Sequence, residues 1–170
     1  MSNDFRIRQA SPTDRAAIGR LWQELMDFHS GLDPDAFLLA PGALDAQLRF
    51  LDERMADEDS MVLVADTGQT LVGFIVGRLE EGPPVYQHRQ HGAIWDTCVT
   101  QSWRRRGVGR KLVADLLDWF RQRGLRDVDV GAAACNPLSN AFWHALGFRP
   151  HMIRMRRAVD VGTTDASNSG

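Results

Sequence analysis

The chain is poor in cysteine, with only Cys98 and Cys135 among 170 residues and neither a CxxC pair nor ligand-like spacing. Reduced thiols are therefore expected, with no disulfide framework and no metal site. Tyrosine occurs once, at Tyr86, so chemistry that needs a phenol has a single candidate. No apolar run reaches the length of about 18 residues that marks a membrane span. The opening Met1-Ser2-Asn3-Asp4-Phe5-Arg6 lacks the apolar stretch of a signal peptide. A cytoplasmic protein without a membrane partner is expected. There is no excess of one charge: a formal net charge of −2 and a pI near 6.2 give no global attraction for nucleic acid. No internal repeat is visible. What remains, 44% apolar and 25% charged residues, suits one globular domain with a full core.

The most informative stretch is Val99 to Leu112, Val-Thr-Gln-Ser-Trp-Arg-Arg-Arg-Gly-Val-Gly-Arg-Lys-Leu. Before it, 93–99 has strand composition. After it, Val108, Leu112, Leu116 and Phe120 recur every four residues as on an amphipathic helix. Gly107 and Gly109 at the helix start keep Cβ atoms out of a ligand's way. Unpaired amides at a helix N-terminus then suit a phosphate, and Arg104, Arg105, Arg106, Arg110 and Lys111 add positive charge. A diphosphate on backbone amides is predicted. A P-loop is excluded, because Gly109 is followed by Arg110 and Lys111 rather than Lys and Ser or Thr. A dinucleotide fingerprint lacks its third glycine at Leu112, although Asp127 and Asp129 lie near the acidic position it needs.

In chain order, 5–9 alternates as a strand, and Ser11 with Pro12 opens a helix with Ile18, Leu21, Trp22, Leu25 and Met26 on one face. A loop over 31–42 leads to a helix carrying Leu44, Leu48, Leu51 and Met55. Strands are predicted over 61–65 and 71–79 with a hairpin turn between them, then an exposed loop over 80–92 with Tyr86, His88 and His91. Gly124 ends the long helix, 128–133 reads as a strand, and Asn136 caps a helix with Pro137 at its first position and Gly147 after its last turn. One or two closing strands are expected over 148–159 and a disordered tail over 160–170.

Arg104-x-x-Gly107-x-Gly109 matches the acyl-coenzyme A loop of the GNAT N-acetyltransferase superfamily. A second patch, from Asn136 to Phe148, resembles that family's Asn, small residue, Tyr, Gly-Phe segment. The resemblance covers 1–159 as a single domain. It implies an α/β (α+β) GNAT fold: a mixed, mostly antiparallel sheet of about six to seven strands with splayed central strands, flanked by about four helices. It also implies acetyl-coenzyme A as co-substrate, with pantetheine bonded along Thr97, Cys98 and Val99. The pyrophosphate would sit on the amides of Arg105, Arg106, Gly107, Val108, Gly109 and Arg110, and Asn136, Ser139 and Trp143 would lie on the coenzyme side. The expected activity is acetyl transfer to a primary amine of a small molecule or peptide by a homodimer. A non-catalytic acyl-coenzyme A binding module and a nucleotide-binding regulatory domain are the competing readings.

The family's usual tyrosine acid aligns with Trp143, which has no ionisable proton near neutral pH. Either Tyr86 or water protonates the departing thiolate, or no acid is needed. A free amine is neutral in only about one part in a thousand at pH 7, so a base is required. Trp95-Asp96-Thr97-Cys98-Val99 is similar to the fourth strand of polyamine and glucosamine-phosphate acetyltransferases, where acids stand at the first two positions. Asp96 is the candidate base or amine anchor, set against a structural acid at a bulge, and Trp95 departs from the pair. Cys98 and Cys135 read as core thiols, and His29 as solvent-exposed.

Overall fold

The computed structural model describes residues 4–157. Their elements are β1 (Arg6–Gln9), α1 (Arg15–Leu32), α2 (Ala43–Ala56), β2 (Ser60–Asp66), β3 (Leu71–Glu81), β4 (Gln90–Val99), α3 (Val108–Gln122), β5 (Val128–Val130) and α4 (Pro137–Ala145). The strands form one sheet in the order β1-β2-β3-β4-β5. The first three pairings are antiparallel and β4–β5 is parallel.

Both faces of the central strands are apolar, so successive side chains feed two cores. Val62, Val64, Phe74, Val76 and Cys98 pack with Ile18, Leu21, Trp22 and Leu51 under α1 and α2. Leu63, Ala65, Ile75 and Ile94 pack with Val108, Leu112, Leu116 and Phe120 of α3 and with Trp143 of α4. Full burial of each large side chain contributes about 1.5–3 kcal/mol. Helix α3 sits close to the sheet because glycine leaves it room: a Cβ at Gly77 would lie 2.7 Å from Leu116 Cδ1.

The first turn of the chain is tied to the sheet by charge. Arg8 bonds Asp14 through Nη1 at 2.7 Å and Asp66 through Nε at 2.8 Å. The same Asp14 carboxylate accepts the Ser11 amide at 2.8 Å. Arg8 thereby holds the Asp14 carboxyl well below the usual carboxylate range.

Three expected boundaries differ. The 80–92 loop is shorter, because β3 runs on to Glu81 and β4 starts at Gln90, leaving 82–89. The 128–133 strand stops at Val130, because its ladder with β4 ends at Ile94. Residues 148–157 form no strand, which leaves five strands rather than six or seven among the described residues. They do not pair with the free edge of β5, and Met152, Ile153 and Met155 stay exposed. The expected end of this strand, 158–159, and the 160–170 tail lie outside the described residues.

Candidate active site

The pairing of β3 with β4 slips by one residue. Val76 faces Asp96 while Gly77 faces Ile94, which leaves Trp95 as the extra residue of a bulge. On its other side β4 pairs with β5 only through Gly92, Ala93 and Ile94. From Trp95 to Val99 the strand therefore has no β5 partner, and its edge is open toward the chain that leads into α3. This is the splay expected of the central strands, made by a bulge and a short neighbour.

The connection from β4 to α3 is held at several points. Thr100 N–H bonds Val72 O at 3.0 Å, and Gln101 N–H bonds Glu24 Oε1 at 2.8 Å. Arg105 has φ +60° and Gly107 φ +84°, the left-handed region where glycine is favoured. A Cβ on Gly107 would meet no atom within 4 Å, so this glycine borders open space. The first bond of α3 runs from Lys111 N–H to Gly107 O, leaving the amides of Val108, Gly109 and Arg110 without an intrahelical acceptor. That is a cradle of the kind a phosphate occupies.

Not all of the cluster's charge serves that cradle. Arg104 turns inward, donating from Nε to Val99 O at 3.0 Å and lying 5.3 Å over the Phe28 ring. Arg106 lies 5.1 Å over Trp103, and Lys111 pairs with Asp115. Arg105 and Arg110 are exposed. Gly109 is small for a reason other than the one expected: its Cβ would sit 3.2 Å from Phe142 Cζ, so it makes room for α4 rather than for a ligand.

Asn136 is buried at the start of α4 and accepts the Ser139 amide at 3.0 Å. Its Nδ2 lies 3.4 Å from His29 Nε2. His29, expected in solvent, is instead partly buried and stacked on Phe37 at 4.7 Å, and burial lowers its pKa. Trp143 is 5% exposed, packed between Phe142 and Phe148 in the core. Cys98 is buried and its thiol is pushed up to about 12, mainly by that burial, which leaves no thiolate for nucleophilic attack near neutral pH. Thr97 turns its hydroxyl to Phe74 O at 3.3 Å. Cys135 is exposed. Among the described residues, no three His, Cys, Asp or Glu side chains could hold a metal ion, and no helix is long and apolar enough to cross a membrane.

At the bulge an open cavity of about 420 Å³ is lined by Gln47, Phe50, Ile94, Trp95, Asp96 and Gly131. Gln47 Nε2 donates to Asp96 Oδ2 at 2.9 Å. Burial raises the Asp96 pKa and outweighs the opposing effect of Gln47. Asp96 is thus a half-buried carboxylate at a cavity wall that holds its proton more tightly than a solvated aspartate. Tyr86, the candidate acid, is 64% exposed on the 82–89 loop and is not among the residues that line this cavity. Gln47 and Phe50 escaped the sequence reading. Gln47 had a signal, since it is a polar residue on the stripe formed by Leu44, Leu48 and Leu51.

Comparison with known proteins agrees with this geometry. Residues 20–148 match the model of the acetyltransferase (GNAT) family. An aminoglycoside N(6')-acetyltransferase type 1 of Stenotrophomonas maltophilia is 32% identical over 151 residues, covering 84% of each protein. The BH1408 protein of Bacillus halodurans, as a tetramutant, superposes with a TM-score of 0.82 at 24% identity, over 91% of this chain and 99% of that one. The aminoglycoside N-acetyltransferase AAC(6')-Iy in complex with CoA gives 0.70 at 21% identity, over 92% and 96%. With the bulged fourth strand, the open edge and the amide cradle in one sheet, the chain belongs to the acetyltransferase (GNAT) family and is an acyltransferase enzyme.

Proposed function

We propose that the protein transfers an acetyl group from acetyl-coenzyme A to a primary amine of a small molecule by direct attack. The observation that carries this reading is the open edge of β4, which runs from the α3 amides to the cavity at Asp96. The amides of Val108, Gly109 and Arg110, beside the open space at Gly107, fit a pyrophosphate. The strand edge from Thr97 to Val99 fits an extended pantetheine arm, and Asn136 stands at the mouth of α4. The cradle and the cavity both lie within one chain. The name of the Stenotrophomonas maltophilia relative supports a small-molecule amine over a peptide as acceptor.

Acetyl-coenzyme A, when bound, supplies an electrophilic thioester carbon and a thiolate leaving group. The protein's part is to bring a neutral amine to that carbon. Asp96 attracts the ammonium form and takes one proton, directly or through a water molecule. The nitrogen pair forms the new C–N bond, the C–S bond breaks with its pair on sulfur, and the second proton that nitrogen sheds as the amide forms passes through solvent to the thiolate. Gln47 fixes Oδ2 of Asp96, so the other carboxylate oxygen is the one presented to the amine. Trp143 and Tyr86 take no part, one being in the core and the other on an exposed loop.

Acetyl-coenzyme A at a hundred times its dissociation constant should add about 2.7 kcal/mol of stability, read as a rise in melting temperature. Nicotinamide dinucleotides should give no rise. Incubation with a panel of small amines should yield an acetylated product by mass spectrometry together with free coenzyme thiol. Absence of any melting shift at millimolar acetyl-coenzyme A would overturn the reading.

A further inference from the structure

The acceptor cavity has an aromatic wall as well as a carboxylate. Trp95, the residue that the bulge adds to β4, is held by three neighbours. Its ring stacks on Phe50 with centroids 5.1 Å apart and planes 7° apart. Its Nε1–H donates to Glu80 Oε1 at 2.6 Å. The Arg54 guanidinium stands 5.9 Å from its ring and 5.4 Å from that of Phe50. Arg54 is itself paired with Asp57 at 3.2 Å and Glu53 at 3.8 Å, so its charge is balanced at the stack. Phe50 covers one indole face, yet 43% of Trp95 is exposed, and the residue lines the same cavity as Asp96. A side chain already fixed in this way loses little further freedom when a ligand packs on it.

Resting on the N-acetylation reading above, we infer that Trp95 determines which amines are accepted. The free indole surface receives a ring that carries the reacting amine, and Phe50 backs the indole. Glu80 is a positioning residue that holds the indole plane beside Asp96. The acceptor class is a primary amine borne on a saturated or aromatic ring, whose C–H groups or π face pack on the indole. A linear amine has no such face and gains only the Asp96 contact.

The test uses 1,3-bis(aminomethyl)cyclohexane and cadaverine, which carry the same two charges with equal carbon spacing along the shorter path and differ by the ring. KM and kcat are measured with saturating acetyl-coenzyme A, and acceptor binding by calorimetry in the presence of coenzyme A. The wild-type KM and Kd for the ring amine should be lower by about tenfold, the size of one aromatic stacking contribution. Trp95→Leu should raise both to the cadaverine values while kcat stays within about threefold. Trp95→Phe, which keeps a ring, should retain part of the preference. Glu80→Gln keeps an oxygen for the indole N–H and should act as wild type does. Glu80→Leu should follow Trp95→Leu for the ring amine and leave cadaverine unchanged.

Equal wild-type affinity for the two amines, or a Trp95→Leu loss shared by both, overturns the inference. Ring-selective binding that depends on Trp95 without acetylated product leaves the platform standing and removes the acetylation reading. Turnover without discrimination does the reverse. If Trp95→Leu fails to melt cooperatively, the Glu80→Gln and Glu80→Leu pair decides alone.

Discussion

Burial beside Gln47 makes Asp96 hold its proton more tightly than a solvated aspartate, and so makes it the stronger base once ionised. Activity that needs the ionised form is therefore lost as pH falls through the raised pKa. Asp96→Asn should lower kcat by about a hundredfold or more and remove that acidic limb from the rate profile. Because Asn still offers Gln47 an oxygen, and ionised Asp96 is disfavoured by burial, the melting temperature at pH 7 should hold or rise. An unchanged rate profile would remove Asp96 from the mechanism. Trp143 gives the opposite expectation. Its indole packs between Phe142 and Phe148 in the core, so Trp143→Phe should keep turnover and cost about 1–2 kcal/mol of stability, within the range of core truncations. Denaturant midpoints and initial rates on the same preparations separate the two effects.

At the scale of elements, the coenzyme loop joins two glycines with different reasons to be small. Gly107 has φ +84° and an empty Cβ side, so Gly107→Ala should cost about 1–2 kcal/mol in backbone strain. It should also weaken acetyl-coenzyme A where the new methyl meets the ligand. Gly109 faces Phe142 at 3.2 Å, and Gly109→Val should cost about 1–3 kcal/mol by overpacking α3 against α4. Adding Phe142→Leu should recover part of the Gly109→Val loss and none of the Gly107→Ala loss, a coupling that a double-mutant cycle measures. If both glycine variants behaved alike in that cycle, the distinction between cradle and packing glycine would fall. The spacing of RxxGxG made the loop legible, but the reason for each glycine depends on what lies across from it, and α4 is more than 25 residues away in sequence.

The whole molecule closes its N-terminal end through Arg8, whose partners Asp14 and Asp66 come from the first helical turn and from β2. Both carboxylates have lowered pKa values, with the Arg8 hydrogen bond as the largest cause. A lowered acid pKa contributes stability that is fully present above the unfolded value of about 3.9 and is lost as pH falls toward the folded values. Denaturant midpoints should therefore drop below about pH 4, and Arg8→Gln should lower the midpoint at pH 7 while flattening that drop. Equal acid sensitivity in wild type and Arg8→Gln would assign the transition to other groups. Neither the Arg8 contact with Asp66 nor the His29 contact with Asn136 carried a local signal, because each joins residues from distant parts of the chain.

The sequence by itself determined the family loop, the order of elements from β1 to α4 and the role of Asn136 as a helix cap, because periodicity, glycine spacing and capping act over a few residues. It also pointed to Asp96, from the residues around it in its strand. Only the tertiary structure decided where β5 ends, that 148–157 adds no strand to the sheet, and that Gln47, Phe50 and Glu80 stand around Asp96 and Trp95. Those outcomes depend on a one-residue slip between β3 and β4 and on which helix faces the bulge. Such pairings are set by the packing of all the layers together, and no short stretch of sequence contains both partners.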